Sequence, residues 1–172
     1  SEDDCILLIT DIDGNSYETV QIGEQLWMAE NLKVTHYNDG TEIPTGYSDG
    51  GWNNLSTGAY AVYDDNESNA DAYGYLYNWY AIDLEAGVCP EDWHVPTDDE
   101  IKQLEMYLGM SQEEADDTAY RGTNEGSKLA GRADLWIDGD LGNNPEFGTS
   151  GFDFLPGGYR YYASGSYGYM GF

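Results

Sequence analysis

Residues 89–106 read CPEDWHVPTDDEIKQLEM, which sets a cysteine, a histidine five positions on and a knot of carboxylates close together. Two chemistries would use such a set: a thiol activated by an imidazole, or a metal ion. A nucleophilic thiol needs its thiolate stabilised, but carboxylates beside Cys89 raise the thiol pKa and no cation adjoins it. Zinc needs three or four ligands, and the chain offers His36, His94, Cys5 and Cys89 at no zinc-like spacing. Helix capping accounts for the same carboxylates. Thr97 is an N-cap, Glu100 three residues later completes a capping box, and Asp98 and Asp99 suit the positive helix end. Ile101, Leu104, Met106 or Tyr107, and Leu108 then form an apolar face, and Gly109 stops the helix. In the strand-like piece before it, Trp93 and Val95 share a face, leaving His94 as a hydrogen-bonded structural residue. Trp93, His94, Thr97 and Glu100 therefore read as framework, and the chain does not read as an enzyme.

Ligand chemistry is better served elsewhere. The last 14 residues, YRYYASGSYGYMGF, hold Tyr159, Tyr161, Tyr162, Tyr167 and Tyr169 spaced by Gly and Ser. Tyrosine supplies large amphipathic contact at low entropic cost, and Gly/Ser spacing lets a backbone adapt to a ligand. Trp52, in the loop DGGWNN, is a second platform for stacking on a sugar ring. Some of these rings could equally be core residues of a closing sheet. Residues 138–146 (DGDLGNNPE) put Asp138, Asp140, Asn143 and Asn144, with Glu146, in one loop. Oxygen-only ligands on a flexible loop suit calcium, and a solvated turn is the alternative. No cofactor is required by this reading, and calcium is the one ion these residues fit. Asp11, Asp13 and Asn15 read as a hairpin turn, since Glu18 lies too near to complete a calcium loop.

A chain of 172 residues fits one domain and carries 16 Tyr and 5 Trp as core material. Six Lys and Arg against 33 Asp and Glu give a net charge of −27, which repels phosphate backbones and anionic lipid. Nucleic acid is thus a poor partner, and no apolar run is long enough to span a bilayer. The balance of Gly, Tyr, Asn and Asp suits a secreted surface protein. Two cysteines, Cys5 and Cys89, are compatible with one disulfide in an oxidising compartment, or with two buried thiols. CILLIT (5–10) and SYETVQIG read as strands about an Asp-Gly turn, QLWMAENLKV as a strand-to-helix corner, and 38–58 as loop. Aromatic strand-like pieces flank the acidic loop 64–71, and SQEEADDTAY reads as a second short helix. The expected class is α+β.

The ordered series TDIDGNSYETVQIGEQLWMAENLKV, YNDGTEIP, YGYLYNWYAI, CPEDWHVPTDDEIKQLEMYL, GSKLAG and SGFDFLPGGYR resembles the Fibrobacter succinogenes major paralogous domain from about residue 10 to 165. WHVPTDDE is also similar to the matching segment of formylglycine-generating-enzyme domains. The resemblance implies a C-type-lectin-like fold: two short helices, small twisted antiparallel sheets and long irregular loops. It implies secretion or surface display in Fibrobacteres or Bacteroidetes and no reaction, because the reactive late cysteine pair of formylglycine-generating enzymes has no counterpart after Cys89. Asp117-Thr118-Ala119 looks like the O-glycosylation signal of exported Bacteroidetes proteins, with Thr118 as acceptor.

Relatives usually continue past LPGGYR into closing strands and often end near a cysteine, whereas this chain stops at Phe172. Cys89 is then expected to pair with Cys5, to pair between chains, or to stay free. The resulting division is an N-terminal strand and donor segment at 1–9, followed by a single domain at 10–172 lacking the closing strands. The expected function is a non-catalytic, extracellular adhesion module binding a polysaccharide or surface protein through its aromatic face. The alternative is a self-assembling subunit of a filament or surface layer, completed by strand exchange with its own copies.

Overall fold

The computed structural model describes residues 7–172. Along the chain run β1 (Leu8–Thr10), β2 (Ser16–Ile22), β3 (Gln25–Met28), α1 (Asp49–Trp52), β4 (Tyr60–Ala61), α2 (Ser68–Tyr73) and β5 (Leu76–Tyr77). They are followed by α3 (Trp79–Ile82), α4 (Asp98–Leu108), α5 (Gln112–Asp116), α6 (Glu125–Leu129), β6 (Gly157–Arg160) and β7 (Tyr167–Met170). The sheets are small: one of three strands in the order β1-β2-β3, and the antiparallel pairs β4-β5 and β6-β7. The class is α+β, as expected. Its helices are more numerous and mostly shorter than the two expected.

These elements group into two compact units, each assembled from separated stretches of chain. The first comprises residues 7–8, 17–30 and 96–155. Its core joins Ile22 and Trp27 of the β2-β3 hairpin to Leu104 of α4, with Ile101, Leu108, Leu129 and Phe152 packed around them. Trp27 meets Phe152 edge-on at 5.6 Å. The register Val20↔Trp27 and Ile22↔Gln25 places Val20, Ile22 and Trp27 toward this core.

Helix α4 follows from its sequence. The Thr97 hydroxyl accepts from the Glu100 N–H at 3.3 Å, and the Glu100 carboxylate accepts from the Thr97 N–H at 2.8 Å. Gly109, at φ 127°, ends the helix and donates to the Met106 carbonyl at 3.1 Å. The expected second helix, α5, repeats the device with Ser111 and Glu114. Lys102 ties the two, reaching Asp98 at 3.1 Å and Asp116 at 2.9 Å.

The second unit comprises residues 9–16, 31–95 and 156–172. One cluster buries Val34, Tyr37, Ile43, Ala81 and Val88; another buries Trp52, Ala59 and Ala61. The turn at 11–15 forms as expected, with the Asp11 carboxylate accepting the backbone N–H groups of Asp13 and Asn15 and Gly14 at φ 85°.

Several local expectations are corrected. The 38–58 loop contains α1, started by Ser48, whose hydroxyl accepts from the Gly51 N–H at 3.2 Å. The second half of the acidic loop 64–71 belongs to α2, and a 3-10 turn at Tyr63–Asp65 precedes it. No helix forms within the QLWMAENLKV segment after β3, and residues 93–95 form no strand. Near the end of the described chain, Gly157–Arg160 and Tyr167–Met170 pair with one another as the β6-β7 hairpin.

Removing the α4 cap by Thr97→Ala should lower stability by about 1 kcal/mol. Leu104→Ala, at a position 2 % exposed, should cost about 2–5 kcal/mol in urea unfolding. Equal effects of the two would contradict the placement of Leu104 in the core.

Candidate functional site

The aromatic end of the chain is organised by a cation. Arg160 closes β6, and its side chain is 1 % exposed. Its guanidinium lies between two rings, 4.6 Å from the Trp52 centroid and 4.7 Å from that of Tyr167. Its Nε donates to the Gly165 carbonyl at 2.9 Å and its Nη2 to the Tyr47 carbonyl at 2.6 Å. Asp49 on α1 stands 3.6 Å away but is 64 % exposed, so the neutral carbonyls and ring faces do most of the holding. The planar fork lets one side chain satisfy two backbone stretches while stacking on both faces. Tyr167 is fixed in turn by a 2.6 Å hydrogen bond to Asp65. Burial first, and then that bond, pushes its phenol far above the ordinary value.

The turn between β6 and β7 rests on α1. Gly165 has φ 75°, and a Cβ there would fall 2.2 Å from the Asp49 carbonyl oxygen, so only glycine allows this approach. Asn53 adds a hydrogen bond to the Ala163 carbonyl at 3.4 Å.

Above this base stand exposed rings. Tyr159 lies opposite Gly168, and its ring covers that glycine, at 3.1 Å from where a Cβ would be. By strand alternation Tyr169 should face away from Tyr159. Instead Tyr169 has φ 62°, and the two rings stack at 5.4 Å and 28°. A left-handed conformation for a bulky residue costs about 1–3 kcal/mol, and here it keeps a tyrosine that is 64 % exposed beside its neighbours. Phe172 continues the row at 5.7 Å from Tyr169, and Tyr161 and Tyr162 meet at 5.0 Å.

A groove of about 430 Å³ runs between this hairpin and residues 75–79. Tyr75, Tyr77 and Trp79 line its far side. Trp79 is 67 % exposed. It opens α3, whose N-cap Asn78 accepts from the Ala81 N–H at 3.0 Å, so the first helical residue stands clear of the core.

Of the six expected ligand-binding residues, the structure gathers Tyr159, Tyr161, Tyr162 and Tyr169 on one face. Tyr167 supports that face from beneath. Trp52 is corrected: it is 6 % exposed, with Arg160 over its ring, so it is part of the floor rather than a stacking platform. Trp79 and Arg160 were missed in the sequence. Asn-Trp at a helix start could have indicated the first, whereas a lone arginine among tyrosines gave little indication of the second.

The remaining candidates lie apart. In the 138–146 loop the Asn143 amide donates to Asp138 at 3.0 Å and to the Gly139 carbonyl at 2.8 Å, the bonding of a turn. Asp138 and Asp140 are exposed, and among the described residues no three His, Cys, Asp or Glu side chains are grouped as for a metal. Thr118 is exposed in the segment after α5. Cys89 is a free thiol, raised in pKa by burial, one of the three outcomes expected for it; Cys5, its candidate disulfide partner, lies outside the described residues. His94 is exposed, and Trp93 is half-buried.

Beside β1, Asp13 accepts from the Thr35 backbone and hydroxyl and lies 2.6 Å from His36 Nδ1. Thr35 and Asp13 meet the same ring nitrogen, so no hydroxyl–imidazole–carboxylate relay is formed.

A sequence-family model, described as the Fibrobacter succinogenes major domain, matches residues 20–172. The chain belongs to this family. Its Fibrobacter succinogenes major domain thus includes both the capped α4 helix and the aromatic hairpin. No curated protein and no solved structure matches the chain. Among the described residues, no helix of the domain is long and apolar enough to cross a membrane.

In this Fibrobacter succinogenes major domain, Arg160→Met should lower stability by about 2–4 kcal/mol, because the buried Gly165 carbonyl and the part-buried Tyr47 carbonyl lose their donor. Asp49→Asn should cost less than about 0.5 kcal/mol. Comparable losses in denaturant titrations would mean that the ion pair, not the buried fork, holds the hairpin. Asp13 provides a pH test. Burial raises its pKa, but the Thr35 and His36 interactions outweigh this and leave it below the ordinary aspartate value. Its stabilisation is complete above that ordinary value and is lost as pH falls through the depressed one. Asp13→Asn should therefore flatten the acid limb of stability against pH, and an unchanged limb would contradict this.

Proposed function

We propose that this domain is a non-catalytic adhesion module that binds glycan through the exposed rings of the β6-β7 hairpin and Trp79. The observation that carries the reading is the strained, exposed Tyr169 stacked into a row of solvent-facing aromatics beside a groove. Isolated exposed apolar residues need no explanation, but a contiguous patch marks an interaction surface. Backbone strain persists where the surroundings enforce it, and function is a reason to retain it. Flat rings with phenolic edges suit sugars, stacking on C–H faces and hydrogen-bonding to hydroxyls. The framework is read as C-type-lectin-like, and the acidic, tyrosine-rich composition is read as that of an exported, cell-surface protein.

A second reading, assembly with copies of itself by strand exchange, is favoured by Leu7 and Leu8, which are 52 % and 58 % exposed at β1.

Affinity electrophoresis through soluble polysaccharides tests the first reading. Tyr161→Ala and Trp79→Ala should reduce retention at least ten-fold with little change in melting temperature, since neither residue is buried in the core, at 45 % and 67 % exposure. Tyr169→Gly should relieve backbone strain, keep stability within about 1 kcal/mol and still weaken retention. Retention untouched by all three would remove the aromatic face as the site. Concentration-dependent sedimentation abolished by deleting residues 1–9 would favour the second reading instead.

A further inference from the structure

The groove's charge chemistry narrows the ligand class, on the premise that the aromatic face is the glycan site. We infer that this face selects uncharged polysaccharides and rejects those carrying carboxylates. The compact unit holding the groove has two lysine or arginine side chains, Lys33 and Arg160, and of these and its two histidines, His36 and His94, only Arg160 lines the groove. That guanidinium does not serve ligands: its side chain is 1 % exposed, both faces are covered by Trp52 and Tyr167, and it donates to the Tyr47 and Gly165 carbonyls. A uronic-acid carboxylate entering here would lose water without gaining a charged donor.

The other polar side chains lining the groove are neutral. The Asn78 amide is occupied, accepting from the Ala59 and Ala81 N–H groups and donating to the Thr57 carbonyl. The Tyr77 hydroxyl donates to the Val34 carbonyl at 2.7 Å. Tyr162 pushes the Tyr161 phenol above its ordinary value, so Tyr161 remains protonated. Exposed ring faces and phenol edges are what remains, which is the chemistry of neutral pyranose recognition. A chain of net charge −27 adds a repulsive field for any polyanion, strongest at low ionic strength.

The test uses the intact protein with neutral soluble glucan, xylan and galactan, each beside a carboxymethylated form of the same backbone. Retention is measured at about 20 mM and 500 mM salt, where screening lengths differ several-fold. At least one neutral backbone should bind, its carboxymethylated form at least ten-fold more weakly at low salt, with the gap narrowing at high salt. Tyr161→Ala should abolish the neutral binding. Equal or tighter binding of the carboxymethylated form at low salt would overturn the selectivity and leave the adhesion reading standing. Retention by none of the six polymers would remove both.

Discussion

The second unit depends on one buried guanidinium. Arg160 sits where β6, the turn before β7, α1 and Trp52 converge, and it meets each of them with a different part of the same planar group. A charge is costly to bury unless its donors are satisfied, and here two carbonyls and two ring faces meet that requirement. The consequence is geometric. With β6 tied to α1 from below, the hairpin's other rings cannot also turn inward, and Tyr159, Tyr161, Tyr162 and Tyr169 are left facing water. Exposure of the face thus follows from how its base is held.

Glycine makes that arrangement sterically feasible. Gly165 lets the turn lie against Asp49, and Gly158, with φ 68°, lies where a Cβ would meet the Gly168 carbonyl and the Tyr63 ring at 2.6 Å. The spacing of Gly and Ser between tyrosines, which in sequence suggests an adaptable binding loop, in the structure serves close packing of a short hairpin. The loop is therefore less adaptable than its composition implies, and its rings are presented at set distances.

Much of the first unit was legible in the sequence because its signals are local. Thr97 with Glu100, Ser111 with Glu114, and Gly109 specify helix ends within a few residues, and Leu104 lies on the face its spacing indicates. The turn at Asp13-Gly14 is equally local. The second unit was less legible because its decisive contacts join residues far apart in the chain. Nothing near Trp52 shows that Arg160 will cover its ring, so a tryptophan in a Gly/Asn loop read as exposed. Nothing near Tyr169 shows the left-handed backbone that brings it beside Tyr159. The tyrosine-rich end was found by composition alone, and Trp79 across the groove was not. The interleaving of the two units left no linker or composition shift to mark a boundary.

On the proposed reading, the hairpin face and Trp79 form one binding surface. Amide chemical-shift mapping of the labelled protein, titrated with oligosaccharides from a polymer that retains it, tests this most directly. Shifts are expected only at residues 157–172 and 75–80, with those of α4 and α5 unchanged. Saturable shifts elsewhere, with the hairpin silent, would contradict it.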